Sequence, residues 1–439
     1  MLCLPLNKTV LTVLLCLAIT QTALSNNILP VFRVDTTDKT DFQVGQALGN
    51  AIKQRFPDIE ARYDSYLNTL TNQAKFDQVL QQQVNAIRSR IDPAYQDEVA
   101  GITSGWQLFG HDQLGDGRLS LNEYWTFILL PDLGHFSVQG SVFGVWHTAS
   151  ASGTPIIGRN LDWPADANLR SLQAITIYTG TDHNMVNIGF AGCPGILSGF
   201  NQAGLFLAQI ASPLSQPGRN SPDYQDSVAF ALRKALETAT NNQQATKQLS
   251  RYHYAADHNM VMADHTSIQV LEKPQKMPAR IRTDKSNNRA DKLWGKTDQI
   301  AVVNCYLSAH SPDNCTHSQD NFRWQRFSQL AVFDRGHPAA VKDIISIMLD
   351  KANRYQAIFN QHTLQSMVFT PADNTLHLYH TPPSGQGTEH PVMQVFHNLL
   401  PAVSQKSGHP PLIMLIALGA FALIAMVYYF EFYRKRQQS

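Results

Sequence analysis

The segment Ser137–Trp163 constrains the fold more than any other part of this chain. An apolar run around Val142–Trp146 predicts one strand, Ser150–Gly153 predicts a turn, and Thr154–Ile157 begins a second strand. A hairpin this apolar is expected to be buried. Its second strand nevertheless ends in Gly158–Trp163, sequence GRNLDW, where an arginine and an aspartate stand three residues apart. Because buried charges need partners, this end of the hairpin is the first candidate functional site.

The two ends of the chain predict an exported, membrane-anchored protein. Residues 1–25 contain Lys8, an apolar stretch and a small-residue cleavage site before Asn26, which is typical of a signal peptide; a buried N-terminal helix is the alternative. Residues 412–430 carry no charge and, as a helix, would span about 28 Å, enough for a bilayer. The basic residues Arg434–Arg436 that follow predict a cytoplasmic C-terminus. The main body is therefore expected outside the cytosol, in a single-pass type I arrangement.

Composition and charge exclude some classes of protein. Hydrophobic residues make up 43% of the chain and charged residues 16%, which is typical of a globular protein and not of a disordered one. Lys and Arg total 35 against 34 Asp and Glu, so no extended basic surface for a nucleic acid partner is expected. The sequence has no HExxH, paired CxxC or P-loop motif, so no metal and no cofactor are predicted.

Cysteine usage fits an exported protein. Removal of the signal peptide leaves Cys193, Cys305 and Cys315. Cys305 and Cys315 are close enough in sequence for a disulfide that closes a short loop, which an oxidising compartment permits. The odd number leaves one cysteine unpaired unless it bonds another chain.

A loop in the N-terminal part of the chain resembles a calcium-binding loop of the EF-hand type. Asp112, Asp116 and Glu123 fall on ligand positions of such a loop, but Leu114 stands where an oxygen ligand is needed. A helix start explains the same residues, with Ser120 as N-cap and Glu123 completing a capping box. The sequence leaves both interpretations open.

The order of the segments predicts an α+β protein. Residues 26–140 have apolar residues at helical spacing, whereas 141–382 alternates strand-like and helical blocks without regular βαβ units. Residues 383–411, which contain Pro, Gly, Ser and His, are expected to form a stalk that leads to the membrane helix at 412–430. Residues 431–439 would then be a cytoplasmic tail.

The motif Gly158–Trp163, following an apolar hairpin, resembles that of N-terminal-nucleophile (Ntn) hydrolases. The resemblance is greatest to the penicillin acyltransferase type, peptidase family C45, whose relatives include choloylglycine (bile-salt) hydrolases and acid ceramidases. It extends over about residues 40–382 and implies a four-layer αββα sandwich. The further segments that are similar to the family follow in the same order: Pro194–Leu205, Met260–Glu272, Val302–Tyr306 and Arg323–Phe327.

The resemblance also implies a nucleophile that activates itself. In such enzymes the chain cuts itself before a Cys, Ser or Thr, and the freed α-amine, with a pKa of about 7.7–8.0, is the base for that side chain. The family mostly places Cys shortly before the Asn of the motif, and this chain has no Cys there. Counting back from Asn160 gives Gly140 and Ser141, of which only Ser141 has a side chain. The resemblance thus implies Ser141 as nucleophile and the Gly140–Ser141 peptide as the cleavage site, with Ser137 or Cys193 as alternatives.

The family also implies roles for the remaining polar residues. Asp162 would hold the amine of the nucleophile, and Arg159 would stabilise negative charge beside it. Asn201 and Asn304 would be amide donors, with Asn304 the better candidate for an oxyanion hole, and Arg326 would complete the polar cluster. Structural ion pairs and turn-forming asparagines are the alternative for each of these residues.

Taken together, these patterns predict a membrane-tethered, extracytoplasmic hydrolase or acyltransferase. Its substrate would be a small-molecule, non-peptide amide, and the acyl group would pass through Ser141. One alternative is a catalytically inactive binding protein of the same fold, displayed on the membrane. Another is a lipid amidase or phospholipase-like hydrolase acting on a lipid-like substrate at the bilayer. Cleavage between Gly140 and Ser141 is the feature that distinguishes the enzyme from the binding protein.

Overall fold

Most strands of the protein belong to two sheets. The computed structural model describes residues 28–134, 139–180, 182–213, 223, 225–315, 317–352, 357–385 and 391–400. Within these residues the strands are, in chain order, β1 (Val31–Asp35), β2 (Leu108–Phe109), β3 (Leu119–Ser120), β4 (Gln139–Val145), β5 (Ile156–Asp162), β6 (Gln173–Thr179), β7 (Met185–Phe190), β8 (Ser198–Asn201), β9 (Phe206–Ala211), β10 (His258–Ala263), β11 (Ile268–Lys273), β12 (Arg280–Arg282), β13 (Gln299–Val302), β14 (Thr363–Thr370), β15 (Thr375–His380) and β16 (Gln394–Phe396).

The two sheets have eight and six strands, and β2 and β3 pair with each other. The strand order is β1-β6-β7-β8-β9-β10-β11-β12 in the larger sheet and β13-β4-β5-β14-β15-β16 in the smaller one. β1 and β6 are parallel, and every other neighbouring pair in the two sheets is antiparallel. β4 and β5 form the predicted hairpin. Both lie inside the smaller sheet, so each has a neighbouring strand on both sides.

The inner faces of the two sheets share one apolar core. Because side chains alternate between the faces of a strand, every second residue contributes to it. Phe369 of the smaller sheet illustrates the contact, since its ring lies 4.2 Å from that of Phe200 and 5.7 Å from that of Phe206 in the larger sheet. The core includes Val142, Ile157, Ile175, Val186, Ala208, Val261, Ile300 and Met367.

Helices cover the outer faces of the sheets. In chain order they are α1 (Asp41–Arg55), α2 (Ile59–Leu70), α3 (Gln73–Val79), α4 (Asn85–Arg88), α5 (Pro93–Thr103), α6 (Leu121–Ile128), α7 (Ala167–Ser171), α8 (Val228–Thr238), α9 (Asn242–Leu249), α10 (Ser318–Leu330) and α11 (Val341–Met348). A π-helical turn, Leu80–Val84, joins α3 to α4, and 3₁₀ turns lie at Leu130–Asp132, His147–Ala149 and Ala290–Lys292.

Two outer cores attach these helices to the sheets. Residues of α1, α2, α5, α6, α8 and α9 pack with the outer face of the larger sheet, where Tyr178, Leu207 and Met260 lie. α10 and α11 pack on the smaller sheet, and the Phe327 ring of α10 stacks on Phe143 of β4 at 5.8 Å. The layer order is therefore helix, sheet, sheet, helix. The predicted α+β class is confirmed, and the four layers are those that the resemblance implies.

The N-terminal part of the chain contributes a strand to the larger sheet. Strand β1 pairs with β6 in the larger sheet, and the residues up to Leu400 form one unit. Residues 1–27, with the expected signal peptide, and 401–439, with the expected membrane helix and tail, lie outside the described residues. In the part of the chain that the structure describes, no helix has both the length and the apolar character needed to cross a bilayer.

The loop that resembles a calcium site folds as a helix start. The Ser120 hydroxyl accepts the Glu123 N–H at 3.0 Å, and Glu123 Oε2 accepts the Ser120 N–H at 2.7 Å. The Asp64 carboxylate of α2 accepts the N–H groups of Gly115 and Gly117 at 2.6 and 2.7 Å. Among the described residues, no three or more His, Cys, Asp or Glu side chains are grouped so that they could hold a metal ion. The structure therefore contains the capping box of Ser120 and Glu123, which is one of the two interpretations of this sequence.

The protonation of Glu123 makes the stability of this helix start depend on pH. Burial raises the pKa of the Glu123 carboxyl from 4.5 to about 7, against the opposing hydrogen bond from Ser120 and with the help of Asp64 and Asp112. Between about pH 4.5 and pH 7 the Glu123 carboxyl is therefore protonated in the folded protein and ionised in the unfolded chain. The stabilisation is fully present below about pH 4.5 and is lost as the pH rises through about 7.

We expect the urea midpoint of the protein to fall between about pH 5 and pH 7, and Glu123→Gln to reduce this fall because the amide does not titrate. Asp97→Asn, on the exposed surface of α5, is the control and should leave the slope unchanged. Urea unfolding followed by circular dichroism at several pH values measures both. An equal slope in wild type and Glu123→Gln would contradict the assignment.

Candidate active site

Arg159 lies between the two sheets. It pairs with Val142 of β4, whose side chain belongs to the core between the sheets. Paired residues of antiparallel strands face the same side, and Arg159 Nη2 donates to the Gln209 carbonyl of β9 in the larger sheet at 2.9 Å. Burial lowers the pKa of Arg159 to about 10, and Asp162 opposes this shift. The guanidinium, which is fully buried, is therefore a cation at neutral pH.

Two side chains bind the backbone of Gly140 in β4. The Gly140 N–H donates to Asn304 Oδ1 at 3.1 Å, and the Gly140 carbonyl accepts from Arg323 Nη1 at 2.9 Å. Arg323 Nη2 also donates to Asn304 Oδ1, at 2.8 Å. Asn304 follows β13 and Arg323 belongs to α10, so a neighbouring strand and the covering helix meet at this glycine.

The same arginine neutralises Asp162. Arg323 Nη1 lies 3.0 Å from Asp162 Oδ2, and Arg323 Nη2 lies 2.6 Å from Asp320 Oδ1. Asp162 also accepts hydrogen bonds from Asn360 Nδ2 at 3.0 Å and Thr363 Oγ1 at 2.7 Å. Asp162 is therefore part of a buried network that joins β5 to β14 and α10.

The position that these groups surround has no side chain. Gly140 has a φ of +153°, a conformation that favours glycine. A Cβ on this residue would lie 2.1 Å from the Asn160 carbonyl oxygen and 3.3 Å from Arg159 Nη1. The side chain that would contact Arg159 is therefore the one that residue 140 lacks.

Ser141, the expected nucleophile, faces away from Arg159. It pairs with Asn160, and it lies on the same face of β4 as Phe143, whose ring stacks on α10. Its side chain therefore points to the helix layer, whereas that of Arg159 points to the core between the sheets. Ser141 is fully buried, and its Oγ has no hydrogen-bond partner among the residues that the structure describes. The structure therefore does not bring the Ser141 hydroxyl to Arg159, beside which the nucleophile was expected.

A family model matches residues 148–384, more than half of the 439 residues, and its description is acyl-coenzyme A:6-aminopenicillanic acid acyl-transferase. The chain belongs to this family. The resemblance predicted from the sequence is confirmed, and the family is one of Ntn-type hydrolases and acyltransferases that act on amide bonds. Arg159, Asp162 and Asn304 lie within the matched residues, whereas Gly140 and Ser141 precede them.

Solved structures to which the chain is similar include those of three enzymes. The N-acylethanolamine-hydrolyzing acid amidase ortholog of Caenorhabditis elegans is 15% identical, with a TM-score of 0.39 over 53% of this chain and 92% of that chain. A mutant form of the conjugated bile acid hydrolase from Clostridium perfringens is 13% identical, with a TM-score of 0.37 over 58% and 92%. The penicillin V acylase from Agrobacterium tumefaciens is 12% identical, with a TM-score of 0.36 over 61% and 89%. No curated protein matches the chain.

Two residues expected in the acyltransferase site lie elsewhere. Asn201 Nδ2 donates to the carbonyls of Leu236 and Ala239, both at 2.8 Å, so this side chain holds the end of α8. Arg326 Nε and Nη2 donate to Asp350 at 2.8 and 2.6 Å near the surface. The structure thus gives both residues structural contacts and does not bring them to Gly140.

Arg323 is the site residue that the sequence reasoning missed. It lies on α10 one turn before Arg326, within the segment that resembles the family. Arg326 is held by Asp350 near the surface, so of these two arginines only Arg323 contacts Gly140. Asp320, three residues before Arg323, is the signal that was available, because residues at this spacing lie side by side on a helix.

The sequence offers Ser137 and Cys193 as alternative nucleophiles. Ser137 lies outside the described residues. Burial raises the pKa of the Cys193 thiol far above its ordinary value, against the effect of a hydrogen bond with Tyr63. A thiol that stays protonated is a poor nucleophile. Cys305 and Cys315 form a disulfide, which closes the loop directly after Asn304.

Arg323→Gln should destabilise the protein by about 3–5 kcal/mol, because it leaves Asp162 and Asp320 buried without their cation. Arg326→Gln is the matched control and should cost about 1 kcal/mol or less, since its ion pair with Asp350 is partly exposed. Urea unfolding measures both variants. Equal losses would contradict the central place given to Arg323.

Gly140→Ala should destabilise the fold by about 2 kcal/mol or more, because the methyl group would collide with the Asn160 carbonyl and φ is positive. Gly110→Ala is the control, since no atom lies within 4 Å of the added carbon, and it should change stability by about 0.5 kcal/mol or less. Thermal unfolding of the two variants tests the difference. A Gly140→Ala protein as stable as wild type would show that the strand accepts a side chain here.

Proposed function

We propose that this chain uses an amide-hydrolase scaffold to bind a small-molecule amide or lipid-like acyl compound without forming an acyl-enzyme. The observation that carries the proposal is the position of Gly140. Arg159, Asn304 and Arg323 surround this residue, and it has no side chain that could attack a carbonyl. In a family whose chemistry depends on a nucleophilic side chain, this arrangement favours binding over turnover.

Ser141 as the nucleophile is the second candidate, and one observation favours it. The Gly140 carbonyl accepts a hydrogen bond from Arg323 Nη1 at 2.9 Å, and such a donor would stabilise an oxyanion on that carbonyl. Attack by Ser141 Oγ on the Gly140 carbonyl would convert the Gly140–Ser141 peptide to an ester and free the Ser141 amine, and water would then hydrolyse the ester to the Gly140 carboxylate and the Ser141 hydroxyl. The amine would then take the proton of Oγ as the hydroxyl attacks an amide substrate. The orientation of Ser141 away from Arg159 weighs against this route.

We also propose that the protein lies outside the cytosol, tethered by the apolar segment 412–430 with its C-terminus in the cytoplasm. Residues 1–25 support export, because their pattern is that of a signal peptide. The disulfide between Cys305 and Cys315 also supports it, since disulfides persist mainly in oxidising compartments.

The mass of the full chain, purified in detergent, distinguishes the two candidates. We expect a single uncut polypeptide after removal of the signal peptide, with the same mass in Ser141→Ala apart from the substituted oxygen. Cys193→Ala is the control and should also leave the chain uncut. Two pieces corresponding to residues 26–140 and 141–439 in wild type, but not in Ser141→Ala, would overturn the binding proposal and establish the enzyme.

A further inference from the structure

A pocket of about 230 Å³ lies in the helix layer that covers the larger sheet. Its walls come from the start of α5, from the first two turns of α8 and from Tyr252, which follows α9. An apolar cavity of about 150 Å³ is enough to hold a benzene molecule, so this pocket has room for a ring and several further atoms. The polar groups around Gly140 belong to the smaller sheet and its covering helix, so the pocket is separate from that site.

The inner wall of the pocket is apolar. Phe230 and Tyr95 are 4% and 7% exposed, and their rings lie 5.5 Å apart. Ile91 and Ala231 are also buried and line the same wall. The Tyr95 hydroxyl donates to Glu237 Oε2 at 2.6 Å, so Tyr95 offers its ring to the pocket. A hydrocarbon group of a ligand is removed from water against this wall, which favours its binding.

Four charged side chains line the pocket, and two of them neutralise each other. Arg90 Nε lies 3.0 Å from Asp226 Oδ1. Asp92 and Lys234 are exposed, and neither forms an ion pair within the part of the chain that the structure describes. Asp92 Oδ1 accepts the N–H of Ala94 as the N-cap of α5. The pocket therefore presents one carboxylate and one ammonium that have no charged partner in the described fold.

The two unpaired charges face a ligand from different helices. Burial raises the pKa of Tyr252, and the charges of Asp226 and Asp92 raise it further, so Asp92 acts on the side of the pocket where Tyr252 lies. Because Asp226 already has an ion pair, Asp92 favours a positive group of the ligand there. Lys234 follows Phe230 by four residues on the same face of α8, and it favours a negative group above the apolar wall.

We propose that this pocket binds a free α-amino acid with an apolar side chain. The ammonium of the amino acid pairs with Asp92, its carboxylate pairs with Lys234, and its side chain lies against Phe230. A zwitterion matches one unpaired charge of each sign, whereas a ligand with a single charge matches only one of them. The inference goes beyond the proposed function and does not rest on it, because the pocket shares no residue with the site around Gly140.

Calorimetric titration of the full chain in detergent with L-phenylalanine, phenethylamine and 3-phenylpropanoate tests the role of the two charges. All three compounds carry the same ring on the same carbon chain; phenethylamine lacks the carboxylate, and 3-phenylpropanoate lacks the ammonium. We expect L-phenylalanine to bind and each analogue to bind at least about tenfold more weakly, because each loses a hydrogen bond between charged groups. An analogue with an affinity within about tenfold, or no binding of L-phenylalanine, would overturn the proposal.

Glycine tests the role of the hydrocarbon. It has both charges of an α-amino acid and no side chain to place against Phe230. We expect glycine to bind at least about tenfold more weakly than L-phenylalanine, because it removes much less apolar surface from water. The same titration measures this difference. A glycine affinity within about tenfold of that for L-phenylalanine would show that the apolar wall is not part of the site.

Asp92→Asn and Lys234→Met remove the two charges at exposed positions. Asn is as good an N-cap as Asp, and Met keeps an unbranched side chain. We expect each variant to lower the affinity for L-phenylalanine at least about tenfold. Asp97→Asn on α5 and Lys247→Met on α9, both at exposed residues, are the matched controls and should leave the affinity unchanged. Unchanged binding by Asp92→Asn or Lys234→Met would overturn the assignment.

Combining variants with analogues assigns each charge to its partner. In Lys234→Met, L-phenylalanine and phenethylamine should bind equally, because the carboxylate has lost its partner. In Asp92→Asn, L-phenylalanine and 3-phenylpropanoate should bind equally for the corresponding reason. A variant that only disturbs the fold weakens every compound and keeps the preference for L-phenylalanine, and that result would overturn the proposal. If either variant does not fold, the three compounds on the wild type decide alone.

Discussion

The guanidinium of Arg323 is the interaction on which the rest of the site depends. It joins α10 to the smaller sheet by donating to the carbonyl of Gly140, to the carboxylate of Asp162 and to the amide oxygen of Asn304. These groups belong to β4, to β5 and to the turn after β13, so one side chain fixes the relative positions of three segments. Asp320 on the same helix holds the guanidinium in place. A planar group with several donors suits this task, which a lysine ammonium would not perform equally well.

Strand geometry determines which residue of β4 faces Arg159. Residues 140 and 141 are neighbours in sequence, but in a strand their side-chain positions lie on opposite faces. Arg159 therefore faces the position of Gly140, while the hydroxyl of Ser141 lies in the helix layer. Asn304 and Arg323 therefore bind the backbone of a residue that has no side chain.

The two buried arginines of the site, Arg323 and Arg159, differ in whether hydrogen bonds within the fold account for their burial. Arg323 is surrounded by acceptors and contributes to the packing of α10, so its presence is explained by the fold. Arg159 has a single hydrogen bond to a backbone carbonyl and two buried nitrogens without partners among the described residues. Its burial is unfavourable for folding, and a residue that breaks the local rules of packing in this way is typical of a functional site.

The sequence by itself determined the local features: the hairpin, the α+β class, the arginine motif and a cysteine pair close enough to form a short loop. These follow from side-chain alternation and from short-range spacing, which the chain carries residue by residue. Only the tertiary structure decided which arginine of α10 enters the site, that Asn201 holds the end of α8, and that Ser141 faces the helices. The physical reason is that a shift of one residue in a strand reverses the face, and that two arginines within one turn of a helix pair with different carboxylates, Asp162 for Arg323 and Asp350 for Arg326, which other segments supply. The packing of distant segments determines which face of a strand or helix lies at the site, and the local residue pattern does not encode this packing.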